Sequence, residues 1–301
     1  MNDYIKHIRG NTYYIPSRTN VGVIKKDDSV ILIDSGNDKD AGRKIRMNLD
    51  KLDLKVEYIL STHSNADHVG ANAYLINQYK IKAYSYKREV PITKYPDLES
   101  TILYGGKPTK AMQNKFLMAK PSAMEDIELL EDKTLSYFEL EGHFLDMIGF
   151  KSEDDVYFIA DSLFSEEVVN KYHLFYIFNV GGYLKTLDYL ETLNDGHNIF
   201  VASHLEISND ISNTIKVNRN KILEVLDFLR DLLQTTNSFE AILKEVFIHY
   251  DLVMDINQYL LIGSTIKNYL TYLNDLGEVD LVIEDNELLY KLKGAVTHKK
   301  L

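Results

Sequence analysis

Between residues 62 and 68 the chain reads Thr62-His63-Ser64-Asn65-Ala66-Asp67-His68. Two imidazoles and a carboxylate so close together can converge without long chain closure, which is what a metal site needs. Two more histidines stand at the ends of apolar runs, His143 after Gly142 and His204 after Ser203, and Asp161 follows the run from Val156 to Ala160 in the same way. A lone histidine at such a place is more often a structural residue than a ligand. The informative feature is the order: a compact His/Asp/His cluster, then Gly-His, then Ala-Asp, then Ser-His, each directly after an apolar strand. The chain has no cysteine. Thiolate ligands and disulfides are therefore excluded, and any metal must be held by His, Asp, Glu, Asn or backbone oxygen.

Strand and helix signals place these residues. Short strands are expected at 12–16, 21–25 and 29–34, with Asp27-Asp28 as a turn, after which Ser35-Gly36 breaks the pattern. A helix is expected over 41–52, and the β-branched run 56–60 reads as a buried strand ending at the motif. Val69, Ala73 and Ile76 give 69–79 helical spacing, so the motif sits between a strand end and a helix start, where open α/β folds commonly bind ligands. Residues 91–126 lose periodicity and contain Pro91, Pro96, Gly105-Gly106, Pro108 and Pro121, which predicts an insertion or lid with short helical pieces. Strand signals return at 136–140, 156–159 and 199–202. From about Lys216, helical spacing of Ile222, Val225, Leu226, Leu229, Leu232 and Leu233 predicts a long amphipathic helix. Beyond Thr235-Thr236-Asn237, helices are expected at 239–249, 257–262 and 264–276, then two strands at 278–283 and 287–292 around Glu284-Asp285-Asn286. Helices followed by a hairpin look like a small winged helix. The expected division is 1–214 as catalytic domain, with the 91–126 insertion, and 215–301 as a linker helix and winged-helix-like domain.

In this ligand order and strand context the chain resembles the metallo-β-lactamase superfamily, whose signature is His-x-His-x-Asp-His followed by those later ligands. The resemblance spans roughly residues 8–208 and includes Asp34-Ser35-Gly36, which matches the family's early Asp-x-Gly element. It implies an α+β fold, an αββα sandwich, followed here by the small helical domain. It also implies a metal-dependent hydrolase with a pair of metal positions. The first would use His63, residue 65 and His143; the second would use Asp67, His68 and His204; Asp161 would bridge them. Asp67 would double as the catalytic proton carrier. Zinc, as one or two ions, is the expected cofactor, with iron or manganese as alternatives. The departure is Asn65, where the family has its middle histidine. A carboxamide oxygen is a weaker, harder donor than imidazole. Asn65 is therefore either a weak ligand or a hydrogen-bonding neighbour, and the second position keeps all its matching residues.

A net charge of −11 works against general attraction to phosphate backbones or anionic membranes. The would-be recognition segment 264–276 sets Lys267 against Asp275, amid Asp255, Glu278, Asp280, Glu284, Asp285 and Glu287, so nucleic acid is not the expected partner. The C-terminal domain is expected to cover the cleft or form a homodimer contact. No apolar run is long enough to span a bilayer and the N-terminus lacks a signal-like core, so a cytoplasmic location is expected. The expected reaction is hydrolysis of a small ester, thioester, lactone or phosphoester. The alternatives are a mononuclear iron dioxygenase of persulfide type and a non-catalytic ligand-binding regulator. His7, His197, His249 and His298 lie outside the pattern, as does His173, which could approach the pocket beside Leu174-Phe175-Tyr176. Lys107, Lys110, Lys115 and Lys120 put positive charge in the insertion, most simply as a solvated face.

Overall fold

The computed structural model describes residues 4–235 and 238–293; Thr236, Asn237 and His298 lie outside the described residues. Strands β1 (Lys6–Arg9), β2 (Thr12–Ile15), β3 (Val21–Lys25), β4 (Ser29–Ile33), β5 (Lys55–Leu60), β6 (Lys82–Ser85) and β7 (Glu125–Asp126) form a seven-stranded sheet in chain order. The first four are antiparallel neighbours, whereas β4 to β7 run parallel. Parallel neighbours need crossovers. They are α1 (Lys39–Asp50) between β4 and β5, and the short α2 (Ala66–Val69) with α3 (Asn72–Tyr79) between β5 and β6. Helix α1 starts where it does because the Asp38 carboxylate accepts from the free amides of Asp40 and Ala41. The stretch between β6 and β7 carries α4 (Glu89–Lys94) and α5 (Asp97–Tyr104), the short helical pieces expected of the insertion.

A second sheet pairs β8 (Leu135–Glu139), β9 (Ile148–Ser152), β10 (Val156–Ala160) and β11 (Ile199–Ala202) in the order β11-β10-β9-β8. The crossover between the parallel β10 and β11 contains α6 (Glu166–Tyr172) and α7 (Val180–Leu193). Side chains alternate between the faces of each strand, and that alternation builds the layers. On β4, Ile31 and Ile33 point between the sheets onto Phe150, Phe158 and Val201. Its other face presents Val30 and Leu32 to Ile45 and Leu49 of α1 and Leu75 of α3. On β10, Phe158 points inward, while Tyr157 and Ile159 point outward to Tyr183 and Leu187 of α7. The result is an αββα sandwich.

The chain continues through α8 (Ser212–Leu232), α9 (Phe239–His249), α10 (Ile256–Asp275) and a hairpin of β12 (Val279–Glu284) and β13 (Glu287–Leu292). Ile222 and Leu229 of α8, Val246 of α9 and Leu270 of α10 share one apolar cluster with Ile159 and Phe200 of the second sheet. The C-terminal helices thus thicken the outer layer over that sheet, and position 214 falls inside α8. Among the described residues no helix is long and apolar enough to cross a membrane.

Two expectations are corrected. The segments 257–262 and 264–276 form one continuous helix, because Gly263 does not break it but lies against Leu243 and Phe239 of α9. The single helix expected over 69–79 is divided into α2 and α3. Gly70 marks the division, and a Cβ there would stand 2.3 Å from the Asn37 carbonyl oxygen.

One buried amide ties α8 to the sandwich. Asn218 accepts from the Phe164 amide at 3.1 Å and donates to the Phe164 carbonyl at 2.7 Å and the Thr214 carbonyl at 2.8 Å. Asn218→Leu would leave both Phe164 groups buried without partners. The expected loss is about 2–4 kcal/mol of unfolding free energy, read from the midpoint of urea denaturation; an unchanged midpoint would show that the clamp carries no stability.

Candidate metal centre

The residues singled out in the sequence meet at one rim of the sandwich, carried there by the chain just past strand ends and, for Asp67 and His68, by the short α2. β4 runs into Asp34, β5 into Thr62-His63, β10 into Asp161 and β11 into Ser203-His204. Turning the chain there takes unusual backbone. Asp34 and Ala160 occupy the left-handed region, with φ of 61° and 48°, a cost of roughly 1–2 kcal/mol for each side-chain-bearing residue. At Ala160 the pairing of β10 with β11 also slips register, and the Ser203 amide donates to the Ala160 carbonyl at 3.0 Å. The bulge aims Asp161 into the rim. His143 is introduced by Gly142, whose φ is +125° and whose missing Cβ would lie 2.3 Å from the Cα of Tyr183 in α7. Only glycine fits there.

The imidazoles of His63, His68, His143 and His204 are all anchored in the same way. His68 Nδ1 donates to Asp34 Oδ2 at 2.8 Å, His143 Nδ1 to the Tyr176 carbonyl at 3.0 Å, and His204 Nδ1 to the Arg18 carbonyl at 2.7 Å. The Thr62 hydroxyl gives its proton to Asp34 Oδ2 at 2.9 Å, so its oxygen accepts from His63 Nδ1 at 3.0 Å. Because carbonyls and carboxylates only accept, each of these rings carries its hydrogen on Nδ1. Each ring, when neutral, therefore presents a bare Nε2.

Those Nε2 atoms converge on Asp161. Its Oδ1 is 3.2 Å from His68 Nε2, and its Oδ2 is 3.3 Å from His204 Nε2 and 3.6 Å from His143 Nε2. Asp67 Oδ2 lies 3.5 Å from His204 Nε2 and 3.8 Å from His68 Nε2. His63 Nε2, His68 Nε2 and Asp161 Oδ1 are buried without any aligned hydrogen bond, a costly state for polar atoms. Among the described residues, two donor sets have ligand atoms within 4.8 Å of one another: His63, His68 and Asp161, and Asp67, His68 and His204. These are distances and residue types that a cation fits, since it would satisfy the orphaned atoms together.

The titration of these groups shows where positive charge belongs: without a cation, His68 and His204 hold a proton in its place. Burial opposes a charged ring at His68, yet Asp161, Asp67 and Asp34 outweigh it and hold the pKa well above the ordinary range. Against the same burial penalty, Asp161 lifts His204 to about 9. Burial and the neighbouring His68 drive His63 well below its usual value. The acidic side of the rim thus calls for positive charge, while His63 remains a neutral donor.

Sequence reasoning missed several residues that support the rim. Glu89 of α4 is fully buried and accepts from the Ser64 amide at 2.9 Å, the Ser64 hydroxyl at 2.5 Å and the Asp146 amide at 2.8 Å. Burial raises it to about 7. Glu99 of α5 is 5% exposed and accepts from Asn65 Nδ2 at 2.9 Å, and burial pushes its pKa well above the ordinary carboxyl range. The Thr19 hydroxyl donates to Asp67 Oδ2 at 2.9 Å. No signal in the sequence marks these residues, because they come from aperiodic segments. His173 does not reach the rim; it stacks on Tyr250 at 5.1 Å between ring centroids. Lys107, Lys110, Lys115 and Lys120 are exposed.

Fold and rim together define a two-sheet sandwich with a histidine and carboxylate centre of metal-binding type at its edge. Residues 14–200 match the family model described as the metallo-beta-lactamase superfamily, and the chain belongs to that superfamily. Similar solved structures include a metallo-beta-lactamase family protein from Thermus thermophilus, with 18% identity and a TM-score of 0.70, covering 94% of this chain and 99% of that one. A beta-lactamase domain protein from Burkholderia ambifaria has 15% identity and a TM-score of 0.70, covering 96% of this chain and 93% of that one. The DIM-1 metallo-beta-lactamase has 15% identity and a TM-score of 0.50, covering 72% of this chain and 94% of that one. The first two matches necessarily extend into the C-terminal helices, whereas the third leaves over a quarter of the chain unmatched. A comparison with curated proteins finds no match.

Asp34 orients His68 and, through Thr62, His63. Asp34→Ala should weaken cation binding about 10–100-fold, measured by competition with a chromophoric chelator; wild-type affinity in this variant would refute the orienting role.

Proposed function

We propose that this protein is a metal-dependent hydrolase acting on a small ester, thioester, lactone or phosphoester. The observation that carries the reading is the convergence of imidazole Nε2 atoms on Asp161, among which His63 Nε2, His68 Nε2 and Asp161 Oδ1 are buried without hydrogen-bond partners. His63 and His143 would hold one cation and Asp67, His68 and His204 another, with Asp161 shared; zinc suits these imidazole and carboxylate donors. A bound divalent cation would supply water acidified toward neutral pH and a Lewis acid for the substrate oxygen.

The chain's own residues supply the rest. Asp34, Thr62 and the carbonyls of Arg18 and Tyr176 hold the rings so that nothing reorients during reaction. Phe164 lies over His204 and beside His143 and shields that side from water. The Asp67 side chain is 38% exposed and that of Asp161 only 7%, so substrate approaches from the Asp67 and His204 side. Asp67 is also the carboxylate placed to exchange a proton with a leaving group or solvent, steadied by Thr19.

Elemental analysis of the purified protein should find a transition metal, and chelation should abolish hydrolysis of a generic ester, thioester, lactone or phosphodiester probe. Asp67→Ala should lower kcat by about 10²–10⁴-fold. Full activity in a demonstrably metal-free sample would sink the proposal.

A further inference from the structure

Asn65 stands where the family pattern has an imidazole, and its amide is committed at both ends. Its Nδ2 donates to Glu99 Oε1 at 2.9 Å, and its Oδ1 lies 3.2 Å from His143 Nε2. The second contact is not an ordinary hydrogen bond. His143 has its hydrogen on Nδ1, donated to the Tyr176 carbonyl, so a neutral ring offers Nε2 only as a lone pair, and Oδ1 of a carboxamide is also only an acceptor. Two acceptors aimed into the same space want a cation between them. We propose that Asn65 Oδ1 is a ligand of the first metal position together with His63 and His143, and that Glu99 is the positioning residue that turns this oxygen toward the metal. The inference rests on the reading of the rim as a metal centre.

Glu99 is well suited to that task. A carboxyl group almost fully removed from water is expensive unless something requires it, and Glu99 has no ion pair with a basic side chain among the described residues. Oε1 accepts the Asn65 amide whether or not Oε2 carries a proton. The amide nitrogen is thereby turned outward and the carbonyl oxygen inward. The arrangement extends the usual support of a ligand by an outlying carboxylate to a carboxamide ligand.

The helix that carries Glu99 is held in turn by the C-terminal region. α5 packs on α10, with Leu103 and Leu117 of the insertion against Leu260. α10 also donates from Asn268 Nδ2 to the Ile177 carbonyl at 2.9 Å, next to the Tyr176 carbonyl that orients His143. One helix therefore braces both partners of the first position. Exchanging imidazole for a carboxamide oxygen makes that position harder, shifting preference from zinc toward manganese, while the second position keeps its donors.

The test is a titration of metal-free full-length protein with Zn²⁺ and, separately, Mn²⁺, followed by calorimetry and chelator competition. Wild type should take up two zinc equivalents of unequal affinity. Asn65→His should tighten the weaker zinc equivalent about 10–100-fold and reduce manganese binding. Glu99→Leu should weaken that same equivalent about tenfold and leave the tighter one unchanged, with circular dichroism confirming the fold; it also serves as the independent variant if Asn65→His fails to fold. If Asn65→Ala and Glu99→Leu both bind two equivalents with wild-type affinities, the inference is wrong. It is equally wrong if wild type binds only one equivalent, although that result leaves the hydrolase reading standing. Uptake of no cation at all would sink both.

Discussion

Several imidazole nitrogens facing one buried carboxylate make an arrangement that a protein interior opposes unless positive charge, as a proton or a cation, lies between them. Bare lone pairs repel, and burying them without partners costs free energy. The rim of this molecule nevertheless holds His63, His68, His143 and His204 around Asp161. It can do so because each ring is tied back through Nδ1 to an acceptor: a carboxylate or carbonyl for three of them and, for His63, the Thr62 hydroxyl, whose proton goes to Asp34. Asp34, which receives both Thr62 and His68, is the central tie. Much of the surrounding structure can be understood as the frame needed to keep these donors from relaxing apart.

That frame is strained only locally. Left-handed backbone at Asp34 and Ala160 and the glycine-only turn at Gly142 all lie at strand ends that deliver site residues, as expected where a functional geometry is over-determined by its surroundings. The strain is offset by ordinary packing. Ile31, Ile33, Phe150 and Phe158 close the space between the sheets, and helices cover both outer faces. A fully buried side chain of this kind contributes about 1.5–3 kcal/mol, so a few of them balance the distorted turns.

The C-terminal helices take part in this support without supplying any of the converging donors. α8 clamps the backbone of Phe164 through Asn218, close to Asp161. α10 holds Ile177 through Asn268 and packs on α5, which carries Glu99. The C-terminal layer thus holds the surroundings of the rim from a second side.

By itself the sequence pointed to a candidate metal centre and named most of the side chains that the fold brings together there. His63, Asp67, His68, His143, Asp161 and His204 were legible because each directly follows an apolar run or lies in the compact motif, and such strand-end spacing survives in one dimension. The strands at 21–25, 56–60 and 199–202 were legible for the same reason, through β-branched and aliphatic runs whose period matches the fold. Tertiary structure alone decided which atoms the donors turn to one another. The pairing of Asp34 with His68, the use of the Tyr176 and Arg18 carbonyls, and the approach of Glu89 and Glu99 all join segments far apart in the chain. A buried glutamate in an aperiodic insertion looks like any exposed one until folding removes its water. The continuity of α10 through Gly263 was settled in the same way, by packing against α9 where local propensity suggested a break.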